Sequence, residues 1–334
     1  MKLLIPDGYK PILSIHDTQA AIKYIRDSVH DTLENTFNLV RISAALFVSP
    51  TSGENDNLSG IERPVSFHVP SINKHLEIVH SLAKWKRVAL ERYGFEPGQG
   101  LYTEMNAIRR DEELDNIHSI YVDQWDWERI ITKEERSLET LVNDARQIFD
   151  TLKIIEKDIA NTFGEVKQYL PDELKILSAQ ELYDAYPGLS EKEREDAICR
   201  KHGAVFLTQI GDELRCGERH GTRAPDYDDW TMNGDLLFYY PVLDCALEIS
   251  SMGIRVDADT LLSQLAKSSS EEKLELDYHR AVCENRLPYT IGGGLGQSRI
   301  CMFLLDKAHI GEVQASIWHE ETVLACEQAG IPLL

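Results

Sequence analysis

Cysteine is missing from the first 198 residues of this chain. The six that follow (Cys199, Cys216, Cys245, Cys283, Cys301 and Cys326) form no CxxC pair or other metal-ligand spacing. A zinc ribbon or a redox dithiol is thereby excluded, and the thiols are expected to be reduced and structural, since a buried cysteine behaves as a small hydrophobe. No run approaches the roughly 18 apolar residues of a membrane helix, and the apolar run in MKLLIPDGYK is too short for a secretory signal. A soluble cytoplasmic protein is expected, with no membrane partner. Positive charge is also short: 35 Lys and Arg face 56 Asp and Glu, for a formal charge of −21. That field repels polyanions at long range, whereas nucleic-acid affinity rests mostly on basic contacts to phosphate. No nucleic-acid partner is expected. Low-complexity stretches, long linkers and internal repeats are absent too, so residues 1–334 are read as a single domain.

What is present is an ordinary globular mixture, with 43% hydrophobic and 27% charged residues. Two helices stand out by apolar periodicity. One covers about Thr18 to Asn35, with Ile22, Ile25, Val29 and Leu33 on one stripe. The other runs from Thr132 to about Ala160, with a stripe from Leu138 to Ile159, and Thr132 with Glu135 makes a capping box at its start. Strands are predicted at 76–80, 100–105, 118–125, 204–210, 234–243 and 246–256. Clustered strands between separated helices favour an α+β fold with a mixed or antiparallel sheet over regular βαβ alternation.

The stretch YVDQWDWE (121–128) joins strand-forming aromatics and Val to two Asp and a Gln. Alternation places Ile120, Val122, Gln124 and Asp126 on one face and Tyr121, Asp123, Trp125 and Trp127 on the other. Gln124 and Asp126 would project side by side, roughly 7 Å apart. An amide and a carboxylate so placed can grip the ammonium and the carboxylate or amide of one small ligand. The bland alternative is a strand end that leaves the sheet and faces water.

Other segments share this polarity. TSGENDNLSG (51–60) is a glycine-bearing loop with Asp56 near its middle, and RAPDYDDW (223–230) gathers Arg223, Asp226, Asp228 and Asp229. Asp235 and Glu248 lie on two predicted strands joined around Pro241; paired as a hairpin, they could bring two carboxylates together, a common way to hold Mg²⁺ on phosphates. Taken singly, each of these is more often a solvated turn or a surface acid. Basic residues cluster in HSLAKWKR (80–87) and at Arg109 and Arg110. IGGGLGQSR (291–299) reads as a glycine-rich turn leading through Arg299 into a helix, suited to phosphate oxygens but lacking the Lys-Ser/Thr of a Walker loop.

The order of these pieces, an Arg after one strand and far downstream an Arg opening a helix, resembles the catalytic core of class II aminoacyl-tRNA synthetases. Within that superfamily the chain resembles the ammonia-dependent asparagine synthetases, the type A aspartate–ammonia ligases. The likeness is carried by DNLSG (56–60), IVHSLAKWKR (78–87), GLYT (100–103), VDQWDWER (122–129), RAPDYDDW (223–230), EISSMGIRVDADTL (248–261) and TIGGGLGQSR (290–299), which span nearly the whole chain. It implies a mostly antiparallel sheet flanked by helices. It also implies ATP-dependent synthesis of L-asparagine from L-aspartate and ammonia through β-aspartyl-AMP, and a homodimer.

The resemblance further implies roles. Arg109 and Arg299 would neutralise the α-phosphate, and Asp235 and Glu248 would hold Mg²⁺. His80, Ile117, Ser251, Gly292 and Gly294 would lie near the nucleotide. Asp56, Ser81, Lys86, Gln124, Asp126, Arg223, Asp228 and Ser250 would serve the aspartate, with Asp56 taking a proton from ammonium and Gln124 orienting the acyl group. Two features depart from the pattern. Ala45 stands where the superfamily's first motif ends in a Pro at its dimer interface, with Pro50 further on, and the segment between Trp230 and Asn233 reads as a trimmed loop.

Three rivals are weaker. A tRNA-charging enzyme would need an anticodon domain or a basic surface. A glutamine-dependent synthetase would need an N-terminal Cys nucleophile, where this chain has Met1 and Lys2. A non-catalytic adenylate-binding relic would have no need of both Arg residues and both metal carboxylates.

Overall fold

The computed structural model describes residues 3–334 apart from 57, 59–61 and 165. Helix α1 (Ile15–Phe37) begins where the Ser14 side chain accepts from the Asp17 amide and ends at Asn38 in the left-handed region, with Ile22, Ile25, Val29 and Leu33 buried along one stripe. Four short strands follow: β1 (Leu39–Arg41), β2 (Phe47–Val48), β3 (Ser66–Val69) and β4 (Lys74–Ile78). Helix α2 (Ala83–Arg92) leads to the long antiparallel pair β5 (Gly100–Ile108) and β6 (Tyr121–Ile130), and then to α3 (Leu138–Phe163). After these come β7 (Lys175–Ser178), α4 (Ala179–Ala185), α5 (Glu191–His202) and β8 (Ala204–Thr208). The hairpin β9 (Asp228–Tyr240) and β10 (Cys245–Arg255) precedes α6 (Ala258–Lys267) and α7 (Asp277–Cys283). Strand β11 (Thr290–Gly296) runs directly into α8 (Gln297–Leu304), and α9 (Glu320–Ala329) is the last helix.

Among the described residues, eight strands make the main sheet in the order β1-β5-β6-β11-β10-β9-β8-β7, while β2-β4-β3 form a small separate sheet. Only the outer pairs, β1 with β5 and β7 with β8, are parallel; the five inner pairings are antiparallel. The α+β class and the mostly antiparallel sheet flanked by helices match the sequence reading.

One face of the sheet is the main core. Trp125 and Trp127, fully buried, meet α1, α3 and α8 there, with the Phe37 ring 5.5 Å from Trp127 and the Trp125 indole N–H donating to His30 at 3.0 Å. Burying each such aromatic is worth about 1.5–3 kcal/mol, which anchors β6 by its apolar face and leaves its polar face free for other work.

Several local expectations shift. The Thr132–Glu135 reciprocal bonds form, at 2.7 and 3.3 Å, but as an isolated turn; α3 starts at Leu138, capped by Ser137. Residues 133–135 are exposed, and a buried stripe begins only beyond them. The glycine-rich segment is not a turn but a central strand, paired with β6 on one side and β10 on the other. The strand predicted at 118–125 runs from 121 to 130, because Asp115 accepts from the amides of Ile117 and His118 and holds that stretch in a turn. Strand β9 starts at Asp228, so the last three of the eight residues of the acidic RAPDYDDW segment and the supposed trimmed loop at Trp230–Asn233 lie inside it. Ala45 sits between β1 and β2, and Pro50 opens a short 3-10 turn.

Candidate active site

The polar face of the sheet is organised in rows by strand register. Asp126 of β6 stands opposite Gly294 of β11, which stands opposite Ser251 of β10, which stands opposite Asp235 of β9. One register step along, Glu128, Gly292 and Gly253 form a second row. The glycines in these rows are sterically required. A Cβ on Gly292 would lie 2.0 Å from Glu128 Oε2, and one on Gly294 would lie 2.7 Å from Gln124 Oε1. The missing side chains are what allow acids and amides of β6 to lean across β11.

Above these rows lies a cavity of about 340 Å³. Its walls include Asp56, Ser81, Lys86, Arg109, Gln124, Asp126, Arg223, Tyr227, Asp228, Glu248, Ser251, Arg255 and Gly294. A second cavity, about 200 Å³, is lined among others by Arg109, Ile117, His118, Gln124, Glu248, Gly294 and Arg299. The two share Arg109, Glu112, Gln124, Glu248 and Gly294, so they adjoin.

Charge alternates through the first cavity's floor. The Lys86 ammonium, fully buried, donates to Asp126 and to the carbonyls of Trp127 and Gly293 at 2.9 and 3.0 Å, with Glu128 at 3.8 Å. Burial lowers its pKa against the pull of Asp126 and Glu128. Arg255 forks onto Glu128 and also donates to Asp228. Burial opposes ionisation of Glu128, but Arg255 outweighs it and the carboxyl sits below its usual range; Asp228 is pushed up, because there burial prevails over Arg255 and Arg223. Arg223 donates to Ser251 and reaches Asp235 at 2.5 Å.

At the cavity's other wall, Asp56 accepts from Ser81 Oγ at 3.0 Å and from the Leu58 amide at 2.8 Å. Residues 57, 59 and 60 of that loop lie outside the described ones. In the second cavity, Arg299 donates to the carbonyls of Glu248 at 3.2 Å and Ile117 at 3.4 Å. Burial would raise Glu248, yet Arg299, Arg223 and Arg109 hold it below its usual range.

Four of the sequence-named residues line neither cavity: His80, Asp235, Ser250 and Gly292. His80 is buried behind the Asp56 loop, its Nδ1 3.1 Å from the Asp56 carbonyl and its amide donating to Asn55. Ser250 is buried without a hydrogen-bond partner for its hydroxyl, and Gly292 is covered by Glu128. Asp235 and Glu248 are not cross-strand partners: a bulge after Glu248 sets Asp235 against Ser251 and Glu248 against Leu237. The Asp235 carboxyl is pushed up to about 6, first by burial and also by Glu248, although Arg223 opposes this. The two acids therefore sense each other even without facing directly.

A family model described as "Aspartate-ammonia ligase" matches residues 16–330. The chain belongs to the aspartate–ammonia ligase family. It is 59% identical to the aspartate–ammonia ligase of Clostridium perfringens, over 100% of this chain and 99% of that one. It is 55% identical to the ligase of Ruminiclostridium cellulolyticum, over 99% of each. The family is one of ligases, so the chain is an enzyme. Among solved structures, an asparaginyl-tRNA synthetase from Pyrococcus horikoshii complexed with asparaginyl-adenylate superposes with a TM-score of 0.65 at 14% identity. That match covers 91% of this chain and 70% of the synthetase, and it shows the class II synthetase fold.

Within this ligase-family site, the residues that sequence reading missed include Glu62, Asp111, Glu112, Tyr227 and Arg255, which line the first cavity, and Glu128, which sits beneath it. Glu128 carried a signal, since it continues the alternation of Gln124 and Asp126. Arg255 carried none: its partners come from strands 127 and 27 residues away.

Proposed function

We propose that this ligase joins ammonia to the β-carboxylate of L-aspartate in two steps within residues 1–334 acting as one catalytic domain. In the first step the β-carboxylate oxygen attacks the α-phosphorus of ATP, giving β-aspartyl-AMP and releasing pyrophosphate. In the second, ammonia attacks the acyl carbon and AMP departs, leaving L-asparagine. The observation that carries this reading is the junction of the two cavities at Arg109, Glu112, Gln124, Glu248 and Gly294. A carboxylate held in the larger cavity would meet a phosphate held in the smaller one at Arg109.

The first cavity suits an amino acid: Asp126, Asp56 and Asp228 offer negative charge to its ammonium, and Lys86, Arg223 and Arg255 balance them. Arg109 and Arg299 would take up the charge that builds on the α-phosphate, preorganised donors of a kind worth about 10²–10³ each in rate. Ser251 and Gly294 would flank the nucleotide. Gly292 and His80 act one layer back, the first giving room to Glu128 and the second fixing the Asp56 loop. Asp235 and Glu248 are hard oxygen donors whose mutual repulsion a divalent cation would relieve, so they fit Mg²⁺. When bound, that ion would neutralise phosphate charge. Arg223, which lines the first cavity while bonded to Asp235, would face the amino acid, whereas Ser250, behind the wall, would support rather than contact it.

Asp56 is suited to bind ammonium and accept its proton, with Gln124 orienting the acyl group. Changing Asp56→Asn should abolish most ammonium-dependent asparagine formation while aspartate-dependent exchange of pyrophosphate into ATP continues. Normal asparagine formation by that variant would remove the role. A homodimer through the face around Ala45, where Val40, Leu46 and Phe47 are exposed, completes the reading; a monomer in sedimentation would count against it. A reduced-thiol, ATP-using enzyme suits the cytoplasm.

A further inference from the structure

Asp123 alternates with Gln124 and Asp126 along β6, and near the start of the strand it borders the second cavity together with Ser298 and Gln314. Its side chain is only 6% exposed. Oδ1 accepts three hydrogen bonds: from the Ser298 amide at 3.2 Å, the Ser298 hydroxyl at 2.7 Å and the Gln314 amide nitrogen at 3.2 Å. Gln314 also donates to Ser298 Oγ at 2.9 Å, and Arg26 stands 3.5 Å from Asp123 Oδ2.

This arrangement replaces a helix cap. Helix α8 follows β11 with no intervening loop, and its N-cap is Gly296, which has no side chain to accept from the first turn. Gly296 is in register with Gln124. The neighbouring residue of β6 is therefore beside the start of α8 and faces it. A carboxylate there satisfies an orphan amide and complements the positive end of the helix. The next residue of α8 is Arg299, whose own contacts are two long bonds to carbonyls, at 3.2 and 3.4 Å, and the Glu248 carboxylate at 3.8 Å. Such contacts hold a long side chain loosely, so the direction in which it leaves the backbone decides where its guanidinium goes.

We propose that Asp123 is a positioning residue for Arg299, an inference that rests on the functional reading above. One strand then sets both halves of the reaction. Its polar face presents Gln124 and Asp126 to the amino acid, and its other face holds the helix that presents Arg299 to the nucleotide.

Steady-state kinetics with aspartate and ATP varied in turn tests this. Asparagine formation by the parent protein, which tests the functional reading separately, is the control. Asp123→Ala should raise KM for ATP about tenfold and leave KM for aspartate within about twofold, the split expected of a group acting only on the nucleotide side. Asp123→Asn, which keeps an acceptor for the Ser298 amide, should recover most of the loss. If Asp123→Ala fails to fold, Ser298→Ala decides, with a rise of about threefold in KM for ATP alone. An active parent whose folded variants show unchanged KM for ATP, or equal changes for both substrates, would overturn the inference.

Discussion

Arg255 and Glu128 form a buried two-pronged pair, Nε to Oε1 at 3.0 Å and a terminal guanidinium nitrogen to Oε2 at 2.7 Å. Neither side chain is more than 2% exposed, and the same acid is 3.8 Å from the Lys86 ammonium. Removing Glu128 leaves Lys86 with Asp126 alone and Arg255 with Asp228 alone, so the buried floor loses one of its balancing acids. Glu128→Ala should cost about 3–5 kcal/mol, because a buried ion pair is broken from one side, whereas replacing both partners by Met should cost much less. Urea unfolding of the two variants measures this; a single-variant loss below about 1 kcal/mol would contradict it.

Gly292 is the steric condition for that pair. Its absent Cβ would fall 2.0 Å from Glu128 Oε2 and 2.6 Å from the Trp127 carbonyl. Gly292→Ala should therefore reduce both stability and turnover, with the stability loss in the range of about 1–3 kcal/mol expected for overpacking. Gly188→Ala, with nothing within 4 Å and an ordinary φ, is the matched control and should be near neutral. Equal melting temperatures for the two variants would refute the crowding argument.

Arg109 and Arg299 should behave as charge stabilisers rather than as general ballast. Arg109→Ala and Arg299→Ala are each expected to lower kcat/KM by about 10²–10³. Lys in place of either should recover only part of the loss, since it brings a point charge without the planar fork. Pyrophosphate release measured by a coupled assay reads this directly. Near-normal rates in the Ala variants would mean that the phosphate lies elsewhere.

His309 gives the fold a dependence on acid. Burial lowers its pKa from 6.5 to about 4, with only a weak opposing pull from Asp115, and its Nδ1 accepts from the Gly311 amide at 3.0 Å. The folded state thus resists protonation where the unfolded chain accepts it. Its contribution is fully present above about pH 6.5 and is lost as pH falls towards 4, up to about 3 kcal/mol in all. His309→Asn should flatten the slope of unfolding free energy between those limits. An unchanged slope would show that other groups set it.

Legibility in the sequence followed the physics of each part. The stripes of α1 and α3 were readable because helical period and burial coincide from Ile22 to Leu33 and from Leu141 to Ile159. The face assignment of β6 was readable because Trp125 and Trp127 alternate with Gln124 and Asp126. Strand β11 was not, since four glycines in seven residues carry no strand propensity; its neighbours, not its own side chains, make it a strand. His80 and Ser250 sit one layer behind the cavity, a distinction of a few ångströms that no spacing encodes. The register bulge that offsets Asp235 from Glu248 is likewise invisible until the strands are paired.

The most direct measurement is product analysis after incubating the protein with ATP, Mg²⁺, ammonium chloride and L-aspartate labelled with ¹⁸O in its β-carboxylate. Equimolar asparagine, AMP and pyrophosphate are expected, with ¹⁸O carried into the AMP phosphate because the β-carboxylate oxygen has bonded to the α-phosphorus. ADP and phosphate in their place, or AMP without label, would contradict the adenylate route through Arg109 and Arg299.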